Sequence, residues 1–481
     1  MSGGSDQPTK YYTNSPAMNG VELNEDGQPY SQWSDLPNLI LEQVFSYLDI
    51  KERYAASQVC YNWYIGAFYL PNTWSTFVVT DTTLTRRRYN YFLGWQQILD
   101  NTRVPFCLQK IGGYIRTLIF DRMIQFQNLY DFMNKFTEFN EAFGSKLHTL
   151  RFNFCCDMDM EERERQRVYG TGGKVLESLK NLMRSLTSLR RLELRDLMLN
   201  VIDGQKLLDD VCDMCALTLR ELVLVNATEY PCQILHVGVF LNLEVLVISP
   251  QNLGEDALVL LGQTRLRHLH ILQNSFTPSE LLLFPVAAKA WKMCRKDNPT
   301  LSVHLKIESF KEKEVVWQEK APVRSIIYDS PLTKVQSQSV MTVIDLYSQD
   351  LRAYGHLGLP RFQRSRSFHE RVDALLLLLV RQCVWLHTMV IRERISTATV
   401  LLLAKTGCNL QKLIIRRNAV ILRCDWPRSP DWSEEFYQWL KVSSRSYEAT
   451  EREVSQLLGT KWHMVTDKQF KALSVDLHNL R

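Results

Sequence analysis

A short pattern of apolar residues recurs through most of this 481-residue chain. It has the form Leu-x-x-Leu-x-Leu, and an aliphatic residue can replace a leucine. The clear copies are Leu189-Leu192-Leu194, Leu219-Leu222-Leu224, Leu243-Leu246-Ile248, Leu266-Leu269-Ile271 and Leu410-Leu413-Ile415. Three consecutive copies, at 219, 243 and 266, start 24 and 23 residues apart, a period typical of repeats that contribute one strand each. A single such unit cannot bury its apolar face, so the pattern favours repeats stacked into a curved solenoid.

Weaker copies and helix-like segments extend this series. The weaker copies are Ile115-Leu118-Phe120, Leu147-Leu150-Phe152, Val323-Ile326-Tyr328 and Leu386-Met389-Ile391, with an alternating strand over 301–307. Helices are expected over 174–186, 205–215, 255–261, 280–296 and 369–386. The fold class predicted for residues 111–424 is therefore α/β, a curved parallel sheet with outer helices. The alternative is an α/β domain of unrelated topology whose leucine spacing arises by chance.

The C-terminal residues 425–481 change in character. Three helices are predicted there, one opened by Ser429-Pro430-Asp431, one over 448–458 that Gly459 stops, and one over 468–473. We expect a helical cap on the end of the solenoid. The alternative is a lid that contacts a bound partner.

Near the N-terminus, residues 31–78 predict three short helices with more apolar surface than they can bury. Ser34 or Asp35 can cap a first helix that Pro37 enters at its first turn. The second and third helices are expected over 52–60 and 61–69. So small a unit has too much surface for its volume, so we expect it to dock on a partner.

This segment resembles the F-box, the helical module that docks on the adaptor Skp1 of cullin-based ubiquitin ligases. It keeps the Leu36-Pro37 start and departs from the family pattern at Leu39, Ile50 and Arg53, of which Arg53 could expose part of the second helix. The resemblance implies that the Skp1-binding residues, or their support, are Leu36, Pro37, Ile40, Leu41, Val44, Phe45, Leu48, Val59, Cys60, Trp63 and Trp74. The alternative is an ordinary three-helix part of a larger domain.

The repeats resemble the leucine-rich-repeat half of F-box/leucine-rich-repeat proteins over about 110–425, although most lack the asparagine or cysteine after the strand. Side chains alternate along a strand, so the residues between the leucines should face the concave side. The candidate substrate-binding residues on that face are Arg191, Arg195, Val223, Val225, Val245, Val247, His268, His270, Lys412 and Arg416. An apolar centre with a basic rim suits a protein partner. The alternative is a row of ordinary solvated strand residues.

Composition narrows the class further. The net charge is only +5, so nucleic acid is not an expected partner. The longest apolar run is too short to cross a membrane, and no membrane partner is expected. Eleven scattered cysteines favour a reducing compartment, cytoplasmic or nuclear. Residues 1–30 are expected to be disordered and 79–110 to form a linker or the first turn of the solenoid.

No catalytic, cofactor or metal site is predicted. Residues 169–174 (YGTGGK) look like a phosphate loop, but the first glycine and the metal-binding Ser or Thr are missing, so a flexible loop is expected. His268 and His270 share a strand face without a third ligand, so we interpret them as surface histidines. Arg86-Arg87-Arg88, like the arginines at 361, 364 and 366, is expected to lie in a solvated loop.

The two resemblances together imply a function. The expected protein is a non-catalytic substrate-recognition subunit of a Skp1–cullin–F-box ubiquitin ligase, linked through Skp1 to a cullin and a RING subunit, that binds an unknown protein substrate. The alternative is a scaffold, either Skp1-binding or a stand-alone leucine-rich-repeat protein, that does not lead to ubiquitylation.

Overall fold

A computed structural model describes residues 33, 36–144, 146–154, 170–278, 283–309, 314–361 and 365–473. The chain divides into two compact units, Met1–Ser75 and Thr76–Arg481. In the described residues, the helices are all too short or too polar to span a bilayer.

The N-terminal unit is made of three short helices and a 3-10 turn. These are α1 (Asn38–Ser46), α2 (Ile50–Ala56), α3 (Tyr61–Phe68) and the turn Pro71–Trp74. Pro37 occupies the N-cap of α1 without a side-chain cap, one position before the predicted one, and Ser34 and Asp35 lie outside the described residues. A capping box between Asp49 and Glu52 starts α2 two residues earlier than predicted, because the two side chains satisfy each other's backbone N–H groups.

The second unit is built on one parallel sheet of twelve strands. In spatial order they are β1 (Thr76–Val79), β4 (Thr117–Phe120), β5 (Thr149–Asn153), β6 (Arg191–Arg195), β7 (Glu221–Val225), β8 (Val245–Ile248), β9 (His268–Asn274), β10 (Ser302–Glu308), β11 (Val323–Asp329), β12 (Ala353–Leu357), β13 (Thr388–Ile391) and β15 (Lys412–Ile415). Two small sheets accompany it, the antiparallel pair β2 (Thr85–Asn90) and β3 (Gly94–Leu99) and the parallel pair β14 (Ile395–Ser396) and β16 (Val420–Ile421).

Helices lie between most of the strands. They are α4 (Arg103–Ile111), α5 (Phe126–Phe143), α6 (Gly173–Ser185), α7 (Val201–Cys215), α8 (Glu255–Gly262), α9 (Ala288–Asp297), α10 (Ser337–Tyr347), α11 (Asp373–Gln382) and α12 (Thr397–Thr406), followed by α13 (Glu434–Ser443), α14 (Tyr447–Leu458) and α15 (Asp467–Lys471). Each predicted strand is present, and the leucines of its pattern are buried. The predicted solenoid, a parallel sheet with outer helices, is therefore confirmed.

Hydrogen bonds between side chains at the ends of the strands show how strongly the sheet curves. Asn274 donates from Nδ2 to Oδ1 of Asp196 over 2.8 Å, although β9 and β6 are three strands apart. In a flat sheet that separation is ~14 Å, at ~4.8 Å per strand. Asn226, fully buried, also donates to Asp196 over 2.8 Å. The polar residues that follow the strands are thus packed together, and they close the inner side of the curve.

Three local predictions were wrong. Arg86-Arg87-Arg88 forms the middle of strand β2 and not a loop. Gly173, predicted as part of a flexible loop, begins α6, which was predicted to start at Lys174, while Tyr169 lies outside the described residues. His270 is buried and not a surface histidine.

The C-terminal segment folds back onto the sheet. Its last helix, α15, places Phe470 against Ile327, Leu357 and Val390, and all four side chains are buried. A parallel bridge joins Val465 to Arg416, directly after β15. The predicted C-terminal helices are present, and the last one covers part of the inner face of the final strands.

Candidate protein-docking site

The first helix divides its apolar residues between two faces. Leu41 and Phe45 are buried, at 0 and 1% exposure, and pack with Ala67 in the core of the N-terminal unit. Ile40 and Val44 lie on the other side and remain 47 and 45% exposed. Residues at i and i+4 share a helix face, so the apolar residues of α1 divide into a buried half, with Leu41 and Phe45, and an open half, with Ile40 and Val44.

Exposed apolar residues extend beyond the open half of α1 and beyond the predicted Skp1-binding residues. Leu39 and Tyr47 are 79 and 81% exposed, and Tyr54 on α2 and Tyr61 at the start of α3 are also exposed. These four exposed residues are absent from the predicted Skp1-binding set, because that set followed the family pattern. The sequence feature that could have revealed them is the number of large apolar residues, which exceeds what a three-helix unit can bury. Together with Ile40, Val44 and Val59 they make up the set of exposed apolar residues that we call the apolar face: Leu39, Ile40, Val44, Tyr47, Tyr54, Val59 and Tyr61.

Aromatic packing holds this unit together. The rings of Phe45 and Trp63 meet edge to face at 5.6 Å. A Cβ on Gly66 would lie 2.9 Å from Phe45, so glycine allows α3 to approach α1 closely. Trp74 is buried and donates from Nε1 to the carbonyl of Ala67 over 2.6 Å. The predicted Skp1-binding residues therefore fall into three groups. The buried ones, which support the unit, are Leu41, Phe45 and Trp74. The exposed ones are Pro37, Ile40, Val44 and Val59, and the half-buried ones are Leu36, Leu48, Cys60 and Trp63.

Arg53 stabilises the end of the first helix. Its side chain is buried, and it donates from Nε to the carbonyl of Phe45 over 2.8 Å and from its terminal nitrogens to the carbonyls of Ser46 and Thr73. Its guanidinium carbon lies 4.6 Å from the centre of the Trp74 ring. Burial lowers the pKa of the Arg53 guanidinium, against the opposing charge of Asp49. The sequence interpretation that Arg53 could expose part of α2 was wrong, because this arginine ties α2 to α1 and to the turn.

The predicted basic rim of the solenoid is held by carboxylates. Glu193 is buried and accepts from Arg195 over 2.6 Å and from Arg151 over 2.9 Å, while Arg191 pairs with Glu221 at 2.7 Å. Burial alone would raise the pKa of Glu193, but the charges of and hydrogen bonds from Arg195 and Arg151 outweigh it, so this pKa is lowered. The arginines of β6 thus belong to a network of ion pairs.

The predicted apolar centre is largely buried. Val223, Val225 and Leu272 form one cluster, against which Val247 packs. Arg195 on β6 lies 3.5 Å from Glu308 on β10, so side chains meet across the curve of the sheet. Val245 and His268 are half-buried. The curvature of the sheet therefore leaves less open surface in the middle than a flat inner face would have.

Three histidines stack beside that cluster. The rings of His270 and His304 are 4.4 Å apart, and Nδ1 of His268 lies 3.1 Å from Nε2 of His304. His304 also lies 2.7 Å from the Ser325 hydroxyl. Among the described residues there is no group of three or more side chains arranged to hold a metal ion. We interpret the stack as packing.

At the C-terminal end of the sheet, Lys412 is exposed and Arg416 is nearly buried in an ion pair with Asp467 of α15. Arg416 is therefore engaged by the chain's own C-terminal segment.

A basic cleft runs along the opposite ends of the strands. It is lined by His148, Arg190, Arg220, Glu244, Arg265 and Arg267, among others. The backbone N–H of Arg220 donates to the carbonyl of Arg190, and that of Glu244 to the carbonyl of Arg220, each over 2.8 Å. Sequence reasoning missed this row. Its signal is the first variable position of each Leu-x-x-Leu-x-Leu copy, which is Arg190, Arg220, Glu244 or Arg267 in four consecutive repeats.

Residues 33–80 match the family model described as F-box-like. No curated protein matches the chain. Among solved structures, the leucine-rich repeat-containing protein LegL7 from Legionella pneumophila is similar at 10% identity and a TM-score of 0.39, with 80% of this chain and 98% of that chain covered.

The chain thus combines a segment that matches an F-box-like domain with a parallel-sheet solenoid of twelve strands.

Proposed function

We propose that this chain is the substrate-recognition subunit of a Skp1–cullin–F-box ubiquitin ligase, located in the cytoplasm or nucleus. The single observation that carries the proposal is the apolar face of the F-box-like domain, seven large apolar residues exposed on a unit of three short helices. Single exposed apolar residues are normal on a protein surface, but seven large ones on so small a unit favour an interaction site.

The chemistry of the apolar face favours a protein partner. Three of its members are tyrosines, which supply large contact area and a polar hydroxyl, as protein interfaces require. F-box domains generally bind Skp1, and Skp1 would link the chain to a cullin and a RING subunit. Ubiquitin transfer would then occur on another subunit, and this chain would contribute by holding the acceptor protein near the reaction.

The solenoid is the proposed site for the substrate. Arg190, Arg220 and Arg267 are exposed along the basic cleft. Two of the predicted substrate-binding residues directly follow residues that line the cleft: Arg191 follows Arg190, and Val245 follows Glu244. Exposed arginines favour acidic or phosphorylated segments, because a guanidinium group binds carboxylate and phosphate through two parallel hydrogen bonds.

Co-purification with Skp1 tests the proposal. The full chain and the variant Ile40→Asp/Val44→Asp are each co-expressed with Skp1. Both side chains are exposed, so the variant should keep its fold while two charges enter the docking surface. The matched control is Leu217→Asp/Leu241→Asp, which changes two exposed leucines of the second unit. We expect Skp1 with the native chain and the control only, and loss of at least thirtyfold in affinity for the variant, in line with central interface residues.

Equal recovery of Skp1 with the Ile40→Asp/Val44→Asp variant would contradict the docking assignment. Recovery of Skp1 without any cullin in cells would instead favour the scaffold alternative, in which docking does not lead to ubiquitylation.

A further inference from the structure

The antiparallel pair β2 and β3 forms a hairpin whose tip is strongly apolar and exposed. Tyr91 and Phe92 at the tip are 85 and 88% exposed, and Leu93 beside them is also exposed. Directly below the tip, Tyr89 and Trp95 face each other across the two strands, with their rings 5.4 Å apart, and both are exposed. Five large apolar side chains thus stand together on one small element.

The base of the hairpin is fixed to the rest of the second unit. Leu99 is buried, and its N–H donates to Oδ1 of Asn128 on α5 over 2.9 Å. Nδ2 of the same asparagine donates to the carbonyl of Gln97 over 3.0 Å. Since Asn128 is itself buried, these bonds hold the base firmly while the tip stays open.

The tip is also pre-shaped. Oδ1 of Asn90 accepts from the N–H groups of Phe92 and Leu93 over 2.9 and 3.3 Å. Gly94 follows with φ of +71°, a left-handed conformation that glycine adopts without strain. The backbone that carries these side chains therefore does not have to be ordered when the tip binds, which lowers the entropic cost of binding.

Positive charge lies on the hairpin behind its apolar tip, toward the base. Arg86, Arg87 and Arg88 are exposed on β2, and residues 84–99 contain no acidic residue. At ~3.4 Å per residue, Arg88 to Arg86 lie ~7–14 Å behind the Asn90–Gly94 rung that closes the turn. From tip to base the order is therefore apolar, then amphipathic aromatic, then cationic.

This order matches the depth profile of a bilayer surface. Apolar side chains favour the acyl boundary, Tyr and Trp favour the headgroup level, and arginines bind anionic lipid outside it. Stable membrane binding needs two signals together, such as an apolar insertion and a basic patch. We propose that the hairpin docks on an anionic lipid surface, with Tyr91, Phe92 and Leu93 inserted and Arg86–Arg88 on the lipid headgroups.

An acidic protein is the other occupant that this chemistry allows. The observations favour the membrane because the hairpin presents its apolar residues on a protruding turn with the cations set back behind them. The inference concerns a surface contact and no membrane span, and it does not depend on Skp1 binding.

Vesicle sedimentation of the full chain tests the proposal. Two probes are used, vesicles of phosphatidylcholine alone and vesicles that also contain phosphatidylserine, at about 30% in mole fraction, whose anionic headgroups give the surface a negative potential. We expect binding to the anionic vesicles only, and weaker binding when salt is raised, because salt screens exposed charges. The variant R86Q/R87Q/R88Q should bind roughly 100-fold more weakly, about fivefold for each arginine.

The variant Y91S/F92S/L93S should bind at least about tenfold more weakly, because it removes the inserted apolar area. Matched controls are R190Q/R220Q/R267Q for the charge and F143S/L217S/Y230S for the exposed apolar residues, and both should bind as the native chain does. Circular dichroism checks that all four variants are folded.

Absence of binding by the native chain, equal binding to both vesicle types, or native binding by the two hairpin variants would each overturn the proposal. In the first case an acidic protein would become the partner to seek for the hairpin.

Discussion

Replacement of Arg53 by methionine tests the role of this buried arginine in the F-box-like unit. Methionine has a similar length and no hydrogen-bond donors, so Arg53→Met removes the bonds to Phe45, Ser46 and Thr73 and largely keeps the volume. The matched control is Lys51→Met, which removes one positive charge from an exposed position of the same helix.

The magnitude follows from the contacts. A hydrogen bond to a charged group contributes ~1.5–3 kcal/mol, and the contact with Trp74 adds ~1 kcal/mol. The Phe45 carbonyl keeps a second donor, the N–H of Leu48 at 3.2 Å, so its loss costs less. The substitution also removes the desolvation cost of a buried charge, which offsets part of the loss. We expect a net destabilisation of ~2–3 kcal/mol for Arg53→Met.

Hydrogen exchange of the full chain measures this effect locally. A destabilisation of ~2–3 kcal/mol should accelerate exchange of the α1 amides by roughly 30–150-fold, since each 1.4 kcal/mol is a factor of ten. Lys51→Met should change the rate by less than about threefold, as expected for a surface position. If Arg53→Met and Lys51→Met exchanged equally, the reasoning about Arg53 would be refuted.

Three further predictions concern the second unit. Glu193→Gln should lower the melting temperature at pH 7. The pKa of the Glu193 carboxylate is lowered from 4.5 in the folded chain, so the native chain should lose this stabilisation as pH falls below about 4.5, whereas the variant should not. Curves of melting temperature against pH that run parallel for the native chain and the variant would contradict this. Phe470→Ala should accelerate exchange in residues 465–473 by about a hundredfold or more, and unchanged exchange would show that this helix is held by other contacts. Burial raises the pKa of the Cys383 thiol to about 12, so at pH 8 it should resist alkylation while the exposed Cys408 reacts within minutes, and mass spectrometry that found both modified would contradict the burial of Cys383.

The repeat pattern predicted most strands because its leucines are the residues that the sheet buries. It missed β12, where Tyr354 and His356 take the inward positions that leucine holds elsewhere. The His356 ring stacks on Tyr328 at 4.4 Å, and burial, helped by the nearby Arg392, lowers its pKa well below the usual value. A histidine in the core is invisible to a pattern of aliphatic residues, because its burial depends on a partner from the neighbouring strand.

The candidate site was predictable in part. The sequence placed Val44 and Phe45 together among the residues for Skp1 binding or its support, but their opposite environments depend on where α3 packs, and that is set by Gly66 and Trp63. The inner face of the solenoid was harder to predict. Alternation along a strand assigns Val225 to that face correctly, yet only the curvature of the sheet decides that it is buried. Long-range curvature arises from contacts between distant strands, such as that of Arg195 with Glu308.

Site-specific photo-cross-linking most directly tests the central claim that the apolar face is a docking surface. A photoreactive phenylalanine analogue replaces Tyr47, 81% exposed on that face, or Tyr230, 60% exposed on the second unit, in the full chain mixed with Skp1. If the apolar face docks on Skp1, a covalent adduct with Skp1 forms from position 47 and none from position 230. A complex that forms but yields no adduct from position 47, or equal adducts from both positions, would contradict it.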